Sequence, residues 1–175
     1  RASRSATARD GETGQSPSMS HAVLCPADMF SHDELIRYAQ SAESAGFDTI
    51  WLPELFGRDP FVTCASVLAA TTYIRVGTAI ANVYARDARA TKAAAFSLAD
   101  AHKNRFELGL GLSNKVGNTP RGHDWLPPLS KMQDFMDRYD GADMMFKHEA
   151  SVPVYLAAHG PKLMDFAADR TDGAY

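Results

Sequence analysis

The sequence predicts a parallel α/β fold, and three observations carry that prediction. Apolar runs of four to seven residues alternate along the chain with segments of helical spacing. The runs are continuously apolar rather than alternating, as in strands covered on both faces. Proline, glycine and capping residues mark the junctions, beginning with Pro26, Ser31, Gly46, Pro53 and Pro60. Two architectures satisfy this pattern, an open doubly wound sheet and a (β/α)₈ barrel. A whole barrel usually takes about 250 residues, and only about five to six βα units fit here.

The elements follow in order. His21–Cys25 is a first strand ended by Pro26. Ser31 and Glu34 have the spacing of a capping box, and Leu35, Ile36, Ala39, Ala42 and Ala45 continue as a helix that Gly46 stops. Thr49–Leu52 is the second strand. Pro60 starts a helix, since its missing N–H is not needed there, and Val62, Ala65, Ser66, Leu68 and Ala69 are expected to face the sheet. Ile74–Ile80 is a third strand with Gly77 inside it, a mark of a bend or of close backbone approach. Ala88–His102 is an alanine-rich helix and Phe106–Leu110 a fourth strand. The stretch from Leu112 to Pro127 reads as a long loop, a length usually associated with function. Ser130–Met145 returns to helix, with Gly141 a point of interruption and Met132, Met136, Met144 and Met145 expected as core filling. Val154–Ala157 is a fifth strand, Gly160–Ala168 a helix, and Asp172–Tyr175 the start of a sixth strand.

Composition narrows the function. The chain has 175 residues, 45% hydrophobic and 22% charged, which is ordinary for a globular domain with a sizeable core. A net charge of −3 without a basic run argues against nucleic-acid and anionic-membrane surfaces. No apolar run approaches the roughly 20 residues of a membrane span. Two distant cysteines, Cys25 and Cys64, form no CxxC pattern, which fits a reducing cytoplasm. Arg1–Ser20 is rich in small and polar residues and lacks the apolar centre of a secretory signal, so a disordered leader or an expression remnant is expected there, and the globular domain over 21–175.

Local motifs exclude more than they assign. The six histidines have no ligand spacing such as HExxH, so no metal site is expected. Ser66, Ser97 and Ser113 lack a GxSxG setting, and GxxxxGK[ST] is absent. Gly109-Leu110-Gly111 fits either a simple strand-to-loop turn or a backbone cradle for a phosphate, and lacks the third glycine of a dinucleotide fingerprint. His123-Asp124-Trp125 in the long loop fits a lid over substrate or an ordinary exposed loop.

Four segments, taken together, carry a resemblance. Phe47–Glu54, Val76–Asn82, Asn104–Gly111 and Val154–Pro161, in that order and spacing, resemble the luciferase-like flavin- and F420-dependent oxidoreductases. Gly57–Phe61 and Tyr84–Asp87 look most like the actinobacterial F420-dependent branch. The resemblance implies a TIM-type (β/α)₈ barrel over a doubly wound sheet, of which this chain would be roughly the first two thirds. It implies F420, with FMN as the alternative, and either hydride transfer between a small organic substrate and F420 or an FMN-dependent monooxygenation. Glu54 would stand beside the cofactor ring, although Leu55 replaces a histidine that some relatives use as acid or base. Ala79 and Ile80 would form a non-prolyl cis peptide behind the ring, with Asn82 a polar contact. Leu112 and Ser113 would hold the cofactor tail, and His159 and Gly160 its phosphate. Asn114 stands where some relatives carry a catalytic glutamate, so no catalytic residue is assigned. The alternative reading is a non-catalytic half-barrel that binds cofactor or oligomerises. In either case a homo-oligomer, most simply a dimer, would cover the open strand edges.

Overall fold

The computed structural model describes residues 20–175, so the expected leader, except for Ser20, lies outside the described residues. The strands are β1 (Ala22–Leu24), β2 (Thr49–Leu52), β3 (Arg75–Thr78), β4 (Ala81–Asn82), β5 (Phe106–Gly111), β6 (Val154–Leu156) and β7 (Gly173–Ala174). The helices are α1 (His32–Ser44), α2 (Pro60–Ala70), α3 (Ala88–Ala101), α4 (Lys115–Asn118), α5 (Pro128–Asp140) and α6 (Pro161–Arg170). All strand pairs are parallel, in the order β1-β2-β3-β5-β6-β7, and β4 adds to β5 beyond β3. Strands and helices alternate as the sequence predicts. The sheet is a curled half-barrel.

Side-chain contacts show the curl. In a flat sheet three strand spacings of about 4.8 Å would separate β2 from β6 by roughly 14 Å. Yet the ring centroids of Trp51 on β2 and Tyr155 on β6 lie 5.7 Å apart, and those of Trp51 and Tyr175, just past β7, lie 5.1 Å apart. Glycines make room for these rings. A Cβ at Gly77 would strike the Trp51 ring, and one at Gly109 would strike the Thr78 carbonyl oxygen and the Tyr175 hydroxyl. Gly109 and Gly111 therefore lie inside β5 as packing residues. The Gly109 N–H donates to Thr78 Oγ1 at 3.0 Å, so this amide is not free to hold a phosphate. On the convex side Ile50, Val76, Phe106, Leu108 and Leu156 are buried beneath the helices.

Local chemistry sets the helix ends. Ser31 and Glu34 form the capping box, with Ser31 N–H donating to Glu34 Oε2 at 2.9 Å. Asp59 caps α2 by accepting from the N–H groups of Phe61 and Val62, both at 3.0 Å, with Pro60 behind it. That register corrects the expected face of α2. Phe61, Cys64, Val67 and Leu68 are buried, while Val62 is 65% exposed, because this stripe removes more apolar area from water than the small-residue face. Two boundaries also move. The third strand is interrupted by a cis peptide between Ala79 and Ile80. The fifth helix stops at Gly141, so Met132 and Met136 are core residues but Met145 is 92% exposed.

The turn from α2 into β3 depends on one carboxylate. Glu43, at the end of α1, accepts from the N–H groups of Thr72, Tyr73 and Ile74 at 2.8, 2.7 and 2.9 Å. Burial raises its pKa, but the three N–H groups and nearby Arg105 outweigh that and leave it below the ordinary value. A depressed folded-state pKa gives stability that is present above the unfolded value of about 4.3 and lost as pH falls through the folded value. Glu43→Gln is expected to cost about 2 kcal/mol at neutral pH. Its deficit should shrink toward acid pH, and urea unfolding at pH 7 and pH 3.5 would check this; equal deficits would contradict it.

Candidate active site

The C-terminal ends of the strands gather the sequence-predicted residues, the face on which barrel active sites are built. Glu54 leaves β2 and fastens the β3–β4 break. Its N–H donates to Ile80 O at 3.2 Å, and its Oε2 accepts from Asn82 N–H at 2.9 Å. The other carboxylate oxygen faces Arg121 Nη2 at 3.4 Å. Asn82 is buried: Nδ2 donates to Asn118 Oδ1 at 2.8 Å, and Oδ1 accepts from Tyr84 N–H at 3.0 Å. Asn118 is fully buried and donates through Nδ2 to Leu112 O at 2.7 Å. Buried amides of this kind need all their partners, so the network fixes the start of the loop after β5 to the β3–β4 break.

Two clefts open in front of this network and share Ile80 and Ala157. One, of about 400 Å³, is almost wholly apolar and is lined by Leu24, Trp51, Ala79 and Tyr175. The other, of about 270 Å³, adds Leu112, Ser113, Trp125 and His159. Beyond it a third hollow of about 390 Å³ continues past His159 to Gly160, Lys162 and the start of α5. Six of the eight expected site residues therefore border connected clefts: Ala79, Ile80, Leu112, Ser113, His159 and Gly160. Glu54 and Asn82 are brought together but stand behind the clefts, with Glu54 opening instead on a hollow beside Arg121. A further hollow, about 570 Å³ between α1 and α2, lies away from the strand ends.

The polar end has two features of its own. Ser113 takes a left-handed backbone at φ 57°, and Gly160 has φ 107°. Gly160 is the N-cap of α6 and supplies no side-chain cap, so the first N–H groups of that helix remain without a side-chain partner. His159 is exposed beside it.

Several contacts here carried no sequence signal. Asn118 lies 36 positions from Asn82, within a stretch read as loop that instead contains α4 and a 3-10 turn over Thr119–Arg121. Tyr84 and Trp125 stack with centroids 5.7 Å apart and planes at 19°. Glu107 is buried on the concave side of β5, with Arg75 Nε at 3.0 Å from its carboxylate. Burial raises its pKa and Arg75 partly opposes the rise.

A parallel βα half-barrel with its clefts at the C-terminal strand ends defines the class. The luciferase-like monooxygenase family matches residues 5–175, and the chain belongs to that family. Methylenetetrahydromethanopterin reductase of Methanolobus tindarius is 30% identical over 159 residues, covering 80% of this chain and 48% of that protein. A putative coenzyme F420-dependent oxidoreductase of Mycobacterium tuberculosis is 28% identical over 175 residues, covering 82% and 50%. The oxygenating constituent of 3,6-diketocamphane monooxygenase from a Pseudomonas putida plasmid, solved with FMN, superposes with a TM-score of 0.70 at 13% identity. It covers 89% of this chain and 57% of that one. This chain spans about half the length of the curated relatives it matches. Among the described residues no helix is long and apolar enough to cross a membrane.

Asn82→Ala is expected to destabilise the chain by about 2 kcal/mol, because it leaves Asn118 Oδ1 without its donor and the Tyr84 N–H without its acceptor. Arg121→Ala, which removes a half-exposed ion pair at 3.4 Å, is expected to cost less than about 1 kcal/mol. Denaturant midpoints of the two variants would check the order; the reverse order would contradict the network.

Proposed function

We propose that the protein is an oxidoreductase that brings an organic substrate against F420, with FMN as the alternative cofactor. The observation that carries this reading is the composition of the shared clefts. Ile80, Ala157 and Leu112 give an apolar floor of the kind a tricyclic ring requires. Ser113, His159 and the uncapped N-terminus of α6 supply polar groups of the kind an anionic tail requires. The residues present therefore fit such a cofactor, which when bound would accept or donate the hydride.

In this reading Ala79 and Ile80 back the ring, and Leu112 and Ser113 line the tail. His159 and the Gly160 N–H hold its phosphate, with the α6 dipole adding to the attraction. Glu54 and Asn82 act by holding the Ala79–Asn82 segment in place, and no general base is assigned. The apolar cleft beside Trp51 favours a substrate with a hydrocarbon surface. Cytoplasmic residence is part of the proposal, in keeping with two free, buried thiols at Cys25 and Cys64.

Fluorescence titration tests the reading directly. F420 or FMN is expected to bind, and His159→Ala to weaken binding about fivefold, the worth of roughly 1 kcal/mol for one polar contact. Binding of neither cofactor to the unaltered chain would sink the proposal.

A second reading, a half-barrel that acts by oligomerising, is favoured by apolar exposure on β1, where Leu24 is 58% exposed. Self-association through this strand predicts a homo-oligomer in sedimentation velocity, disrupted by Leu24→Asp; a monomer at all concentrations would refute it.

A further inference from the structure

We infer that Trp125 is a cofactor-contacting residue, a fixed aromatic wall of the cleft that Tyr84 holds in position. The inference rests on the proposed cofactor reading and adds to it a residue and a role. Trp125 lines the cleft of about 270 Å³ together with Ile80, Leu112, Ser113, Ala157 and His159. A ligand reaching from Ile80 to His159 through so small a space passes the indole. The chemistry of the wall suits the planar heteroaromatic portion of a cofactor or the carbon chain just beyond it.

The loop bearing Trp125 is tied down rather than free. The Tyr84 hydroxyl accepts from the Leu126 N–H at 3.0 Å, so the bond fixes the residue next to the indole. Tyr84 stacks on Trp125 at 5.7 Å, and Lys131 Nζ stands 4.9 Å from the Tyr84 ring centroid. Tyr84 itself is anchored because its N–H donates to Asn82 Oδ1 at 3.0 Å. The other end of the loop is held by Asn118, through Asn82 and Leu112. Trp125 is thus presented to the cleft before any ligand arrives, which removes part of the ordering cost of binding. Tyr84 acts through Trp125 and is a positioning residue.

The chain contains two tryptophans, and each lines a different one of the two clefts that share Ile80. This permits a discriminating experiment on the full chain. In Trp51→Phe, Trp125 is the single tryptophan; in Trp125→Phe, Trp51 is. F420 and FMN are titrated separately, following cofactor fluorescence for binding and indole emission for contact. The expected result is quenching of Trp125 emission in step with cofactor binding. Trp125→Ala should weaken binding about fivefold, and Trp125→Phe should restore it to within about twofold. Tyr84→Phe, which keeps the ring but loses the bond to Leu126, should lower the emission anisotropy of Trp125 before ligand is added. Cofactor binding with unchanged Trp125 emission and unchanged affinity in Trp125→Ala would overturn the inference and leave the cofactor reading standing. Absence of cofactor binding by the unaltered chain would overturn both. Thermal melts of each variant identify any loss of affinity that is only unfolding; if Trp125→Ala fails to fold, the emission of Trp125 in Trp51→Phe decides alone.

Discussion

The buried carboxamide of Asn82 is the interaction on which the geometry of the site depends. It stands where β3 breaks and β4 resumes, and it is almost wholly removed from water. A carboxamide placed there without partners would be strongly unfavourable, so its environment must supply them. Asn118 and Tyr84 do so from the two connections that frame the clefts. Glu54 meets the same residue at its backbone, bringing the end of β2 into the arrangement. One polar residue thus sets the relative positions of three strand ends.

The curl of the sheet has a different origin. Parallel strands twist, but closing toward a barrel also requires the concave face to be filled by side chains of matching size. Trp51, Tyr155 and Tyr175 fill it, and Gly77 and Gly109 leave the backbone bare where those rings lie. Large and small residues from strands distant in sequence therefore complement one another. Arg75 and Glu107 continue the concave surface as a paired charge.

The connection after β5 shows how local and non-local forces divide the work. Its sequence is rich in glycine and proline, which suggested loop throughout. Asn114 nonetheless caps a short helix by accepting from the Gly117 N–H at 2.7 Å, and the turn that follows places Arg121 against Glu54. Such a segment is stabilised by its contacts with Asn82 and Tyr84 more than by its own propensity. The same reasoning explains α2, where apolar area under the helix outweighed a stripe of small residues as the buried face.

The sequence by itself determined the alternation of strands and helices, their parallel pairing, the capping box at Ser31 and the start of α2 at Pro60. These depend on periodicity and on backbone chemistry within a few residues, and both can be read directly. The residues at the strand ends could also be named, through four motifs whose order and spacing are specific to the family. Only the tertiary structure decided which of them face a cleft. Ala79, Ile80, Leu112, Ser113, His159 and Gly160 do, whereas Glu54 and Asn82 turn toward each other. It alone brought Asn118 to Asn82 and Trp125 to Tyr84, since each pairing joins residues dozens of positions apart. The physical reason is that a buried polar group or an unpaired ring takes whichever partner the closed sheet brings within reach, and that choice leaves no short-range pattern in the chain.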